Sequence, residues 1–94
     1  MDIAFDDSFA AGERDDLNLV ARDVLQVVRA LIPGTPPQGD RPILVYREAG
    51  NPRVVWPPRC ADLYDIGLNL APGRYYFRLA YQLGHELGHV MLDP

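Results

Sequence analysis

Only two histidines occur in the 94-residue chain, His85 and His89, four positions apart. A glutamate, Glu86, follows the first. Residues at i and i+4 of an α-helix lie on one face, one turn apart. Two neutral imidazoles so placed can grip one Zn2+, and the neighbouring carboxylate can reach a water held beside the ion. The chemistry on offer is hydrolysis in which a metal supplies charge and a carboxylate supplies a base. The plain alternative is a pair of surface histidines on an amphipathic helix. That alternative carries most weight for a lone histidine. It carries less where every histidine of a chain falls within one pattern, His85-Glu86-Leu87-Gly88-His89.

This chemistry requires a helix, and the sequence supplies one from Tyr75 to Leu92. Tyr76, Leu79, Ala80, Leu83, Leu87, Val90 and Met91 recur at helical spacing as an apolar side, while Arg78, Gln82, His85, Glu86 and His89 form a polar stripe beside it. Gly84 and Gly88 cost this helix about 1 kcal/mol each relative to alanine; their i, i+4 spacing is expected to let another backbone approach. A first helix is expected from Ala11 to Ile32, where Leu17, Val20, Ala21, Val24, Val27, Val28 and Leu31 share one face. Ser8 is its candidate N-cap, and Pro33-Gly34 ends it.

Between the helices, residues 42–47 and 53–56 read as strands joined by the turn Ala49-Gly50-Asn51-Pro52, hence as a hairpin. Tyr64 to Leu70 places Ile66, Leu68 and Leu70 on one face, which predicts a half-buried strand at a sheet edge. Ile3 and Phe5 give the N-terminal residues weak alternation, enough for a short edge strand or an ordered arm. The expected fold class is α+β. An N-terminal backing helix would precede a small sheet of three to four strands, mostly antiparallel or mixed, and a C-terminal helix would carry the histidines. Residues 1–94 are expected to form a single domain.

Composition narrows the partners. The formal net charge is −4, and the nine basic residues are all arginines, scattered along the chain. No nucleic-acid footprint is present, and the charge balance offers nothing to an anionic membrane. No apolar run approaches the roughly 20 residues that cross a bilayer. The acidic start, Met1-Asp2-Ile3-Ala4-Phe5-Asp6-Asp7, is unlike a signal peptide, and the single cysteine, Cys60, excludes an internal disulfide. A cytoplasmic location is the resulting expectation.

The segment Tyr81-Gln82-Leu83-Gly84-His85-Glu86-Leu87-Gly88-His89-Val90-Met91 resembles the HExxH motif of the zincin metallopeptidases. The order of elements is similar too: a backing helix, a sheet whose edge strand lines the cleft, then the active-site helix. The resemblance implies that His85 and His89 are zinc ligands. It implies that Glu86 is the general base that takes a proton from water and then the acid that protonates the leaving amine. It also implies that the strand Ile66–Leu70 holds an extended peptide or protein substrate by strand addition.

A catalytic zinc site takes three protein ligands. Leu92 stands where the metzincin branch has glycine, so the resemblance points to the gluzincin branch, whose third ligand is a glutamate on a later helix. Only the upper, N-terminal half of such a fold is expected here. Completion would come from a second copy, a partner chain or residues beyond Pro94. Asp93 is the nearest downstream carboxylate, but on a continuing helix it lies a turn too far along for easy shared coordination, and its plain reading is a residue of the C-terminal cap region. Cys60 is a weaker ligand candidate: Pro58-Arg59-Cys60 followed by Asp62 faintly resembles the cysteine switch of matrix metalloproteinase propeptides but departs from it at Ala61 and Leu63-Tyr64, and the plain reading is a small buried residue. Tyr64, Tyr75, Tyr76 and Tyr81 are equal candidates for an oxyanion-stabilising hydroxyl. Trp56 is expected in the core, and Arg74 and Arg78 on a solvated face. The alternatives to a peptidase are a catalytically inactive zincin-derived binding or regulatory module and a structural zinc site shared between chains.

Overall fold

The computed structural model describes residues 1–60, 62–70 and 76–92. Its elements run β1 (Ile3–Phe5), α1 (Ala11–Leu31), β2 (Ile43–Arg47), β3 (Arg53–Val55), β4 (Tyr64–Leu68) and α2 (Tyr76–Leu92). The four strands form one mixed sheet in the order β1-β2-β4-β3, with β1–β2 and β2–β4 parallel and β3–β4 antiparallel. The fold is α+β, as expected. The expected start of the second helix at Tyr75 lies outside the described residues.

The strand registers divide the sheet into two faces. Ile3, Phe5, Ile43, Val45, Tyr64, Ile66 and Leu68 point one way and are all buried. Both helices pack on that side. α1 contributes Leu17, Ala21 and Leu25, and α2 contributes Leu79, Leu83, Leu87 and Val90 to the same cluster. Each large apolar side chain so buried is worth about 1.5–3 kcal/mol, so this interface is the main force fixing α2 on the sheet.

Two expectations about the strands fail, for one reason. β2 and β3 do not form a hairpin, because β4 lies between them. Nor is Ile66–Leu70 an edge: β4 is paired on both sides, and all five of its residues are buried. Its polar positions misled, since Asp65 and Gly67 look solvent-facing. Instead, Arg59 covers Asp65, donating to it through Nε and Nη2 at 2.7 Å each and through its backbone N–H at 2.9 Å. The Tyr46 ring covers Gly67 so closely that a Cβ there would lie 2.7 Å from its Cζ and Oη. Among the described residues, the edges of the sheet are therefore β1 and β3.

Smaller corrections have local causes. The residue preceding α1 is Ala10, which makes no side-chain cap; Ser8 Oγ instead bonds the Asp6 carboxylate and accepts the Arg47 N–H at 2.8 Å. α1 stops at Leu31, with Gly34 beyond it at φ +104°, a left-handed conformation that suits glycine. Trp56 is half exposed rather than in the core, its ring lying 5.2 Å from the Arg41 guanidinium. Gly84 faces Val24 of α1 at an ordinary 3.8 Å for an added Cβ, and Gly88 faces open space. Among the described residues, neither glycine marks a close backbone approach.

Candidate metal centre

α2 is held in place on both of its flanks. Leu79, Leu83 and Leu87 are fully buried against the sheet and α1. One turn before His85, the Gln82 side chain pairs with the main chain just after β4. It accepts the Asn69 N–H at 2.8 Å and donates to the Asn69 carbonyl at 2.9 Å. This two-point clamp fixes the rotation of α2 about its axis, and with it the direction in which the histidines point. The sequence places Gln82 on the polar stripe; only the position of Asn69 reveals its role.

His85 and His89 both stand on the exposed side of α2. Their Nε2 atoms lie 3.2 Å apart, with ring centroids 4.8 Å apart and planes at 79°. Two nitrogens bound to one tetrahedral Zn2+ at 2.0–2.1 Å are separated by about 3.3 Å. The imidazoles therefore already stand at the spacing that a shared ion requires. Glu86 is 5% exposed, and its Oε2 lies 4.0 Å from His85 Nε2. All three side chains offer ligand atoms within 4.8 Å of one another, a cluster with the HExxH spacing that can hold a metal ion. No further coordinating residue joins it among the described residues.

Glu86 corrects the expected stripe, because it lies on the buried side of the histidines rather than in solvent. The complement of that correction is apolar. Phe77 and Tyr81, at i−8 and i−4 from His85, are 95% and 79% exposed, and Leu92 is exposed as well. The helix face bearing the histidines is thus flanked by large apolar side chains. The i, i+4 spacing of positions 77, 81 and 85 is present in the sequence, beside the stronger apolar periodicity of Leu79, Leu83 and Leu87.

A groove of about 260 Å³ runs beside the cluster, lined by Asn51, Pro52, Tyr81, Gln82, His85 and Glu86. Asn51 and Pro52 lead directly into β3, so the wall opposite α2 is the start of the antiparallel edge strand. This distinguishes among the tyrosines. Tyr64 is buried and donates its hydroxyl to the Gly39 carbonyl at 2.7 Å, Tyr76 packs against the core, and Tyr75 lies outside the described residues. Tyr81 is the one of the four seen to line the groove.

The remaining ligand candidates separate from the cluster. Cys60 is exposed, on the segment that follows β3, and is not part of the metal-type cluster. Asp93 lies outside the described residues. No described helix is long and apolar enough to cross a membrane. No protein-family model matches this chain, and neither does any curated protein or solved structure, so the candidate centre rests on the geometry of His85, Glu86 and His89.

Proposed function

We propose that the chain is the upper half of a zincin-type, gluzincin-like metallopeptidase, with His85 and His89 as zinc ligands through Nε2. The 3.2 Å separation of those two atoms, close to that of a shared tetrahedral ion, carries this reading. Zinc bound there would supply the charge that acidifies a water and polarises a peptide carbonyl. Glu86 would take the proton from that water and pass it to the leaving amine. Glu86 is buried, with its Oε2 4.0 Å from His85 Nε2, which supports this assignment. The substrate would be an extended peptide lying along β3 and the Asn51–Pro52 wall, the strand edge that borders the groove, and not along Ile66–Leu70. The third ligand would come from outside the described residues.

Calorimetric titration with zinc, followed by a peptidase assay, tests the reading. The expected result is one zinc per chain at micromolar affinity or better. In an assembly that completes the site, the expected result is also hydrolysis that Glu86→Gln abolishes while zinc binding persists. No zinc uptake at micromolar concentration would remove the proposal.

The exposed Phe77, Tyr81 and Leu92 favour a second reading, a zincin-derived module in which this apolar face binds a partner and no hydrolysis occurs. Under that reading His85→Ala leaves partner binding intact, and saturating zinc yields no cleavage. A structural zinc shared by His85 and His89 of two copies is the remaining alternative to a peptidase. Its mark is zinc-dependent doubling of mass in sedimentation, reversed by a chelator.

A further inference from the structure

The sheet edge farthest from the histidines carries a second groove. Among the described residues, β1 is paired on one side only. Ile43 N–H donates to the Asp2 carbonyl at 2.7 Å, and Asp6 N–H donates to the Val45 carbonyl at 2.9 Å. In a parallel ladder this alternation turns the even-numbered residues toward β2. The N–H and C=O groups of Ile3 and Phe5 therefore point outward, as an unpaired strand template.

Two cavities lie end to end along that template, between β1 and α1. One, of about 350 Å³, is lined by Met1, Asp2, Ile3, Arg22, Leu25, Gln26 and Arg29. The other, of about 340 Å³, is lined by Ala4, Phe5, Ala11, Arg14, Asp15 and Asn18. Their helix-side residues follow i, i+3, i+4 and i+7 steps, so together they make one stripe down α1. Arg14 Nε and Asn18 Oδ1 are buried on this stripe without a hydrogen-bond partner among the described residues, an arrangement that is costly unless something else satisfies them.

The charge of the groove is unlike that of the molecule. Arg14, Arg22 and Arg29 stand against the two carboxylates Asp2 and Asp15, in a chain of net charge −4. Arg47, Arg53 and Arg59 are all paired with carboxylates, whereas none of Arg14, Arg22 and Arg29 has an ion-pair partner among the described residues. At 1.5 Å rise per residue the three guanidiniums span about 22 Å of helix, the length of roughly seven residues of extended chain.

We propose that this groove binds an acidic, extended polypeptide segment. The segment adds to β1 as a fifth strand through the Ile3 and Phe5 main chain, and its carboxylates meet Arg14, Arg22 and Arg29. Strand addition supplies the affinity and the arginines select the sequence. The groove lies three strand spacings from β3, about 14 Å, and is independent of the metal centre.

The test uses the 94-residue chain and synthetic octapeptides of alternating Glu-Val or Lys-Val, followed by fluorescence anisotropy and amide chemical shifts. The expected result is that the Glu-Val peptide binds at least about tenfold more tightly than Lys-Val, with affinity falling as salt rises. The Ile3 and Phe5 amides should shift, N-methylation of alternate peptide residues should abolish binding, and Arg22→Glu with Arg29→Glu should weaken it about tenfold or more. Both substitutions lie on the surface of α1, and circular dichroism checks that the fold is kept. His85→Ala should leave binding unchanged, which separates this outcome from that of the metal site. Equal binding of the two peptides, no binding of either, or shifts confined to β3 would overturn the proposal.

Discussion

Asp65 and Glu86 show how differently a buried carboxylate can be held. Glu86 is buried beside two imidazoles that are themselves exposed. Asp65 is 1% exposed and locked by Arg59. Burial alone would raise the Asp65 carboxyl, but the Arg59 hydrogen bonds and charge outweigh it and hold the group below its ordinary value. A carboxyl whose folded value is depressed stabilises the fold fully above the ordinary carboxylate range and loses that contribution as pH falls through the depressed value. Acid unfolding should therefore steepen below about pH 4, and Asp65→Asn should flatten that part of the stability profile. Arg59→Ala should cost about 2–4 kcal/mol in chemical denaturation, because it strands a buried charge. A loss under 1 kcal/mol would show that water replaces the guanidinium.

At the level of elements, α2 carries both core side chains and the candidate metal cluster. Gly84 has room for a methyl group opposite Val24. Gly84→Ala should raise stability by up to about 1 kcal/mol through helix propensity, seen as a higher thermal midpoint with zinc affinity unchanged. Gly67 in β4 should behave in the opposite way. Its Cβ would strike the Tyr46 ring, so Gly67→Ala should destabilise by about 1–3 kcal/mol. Gln82→Ala should free the Asn69 main chain, cost about 1–2 kcal/mol, and weaken zinc binding in calorimetry by loosening the rotation of α2. If stability falls and zinc affinity does not, the clamp holds the fold but does not aim the histidines.

Across the whole molecule, one layer of helices lies on one face of a sheet whose two edges differ. β3 runs antiparallel beside the histidine groove, and β1 runs parallel beside the arginine stripe. β4, paired on both sides and entirely buried, is the center of the structure. Amide exchange should rank it slowest, with β1 and β3 faster because each has an open side. Slow exchange in β3 and fast exchange in β4 would contradict the strand order. The metal site and the proposed peptide site would then be two ends of one sheet that share no residue.

Local chemistry was legible in the residues themselves. The i, i+4 histidines with an adjacent glutamate, the two amphipathic helices, the strand segments and the α+β class all follow from short-range spacing, because helix and strand periodicity are properties of neighbouring residues. What depends on which distant segment lies beside which was not. Strand order, the burial of Asp65, the exposure of Trp56 and Cys60 and the clamp on Asn69 are set by long-range pairing, to which a one-dimensional pattern is blind. The sequence named His85, Glu86 and His89. Only the tertiary structure set the Nε2 atoms 3.2 Å apart, buried the carboxylate beside them, and moved the edge strand that faces them from Ile66–Leu70 to β3. The physical reason is that packing Leu79, Leu83 and Leu87 onto the sheet, together with the Gln82 bonds, decides which way a helix face turns.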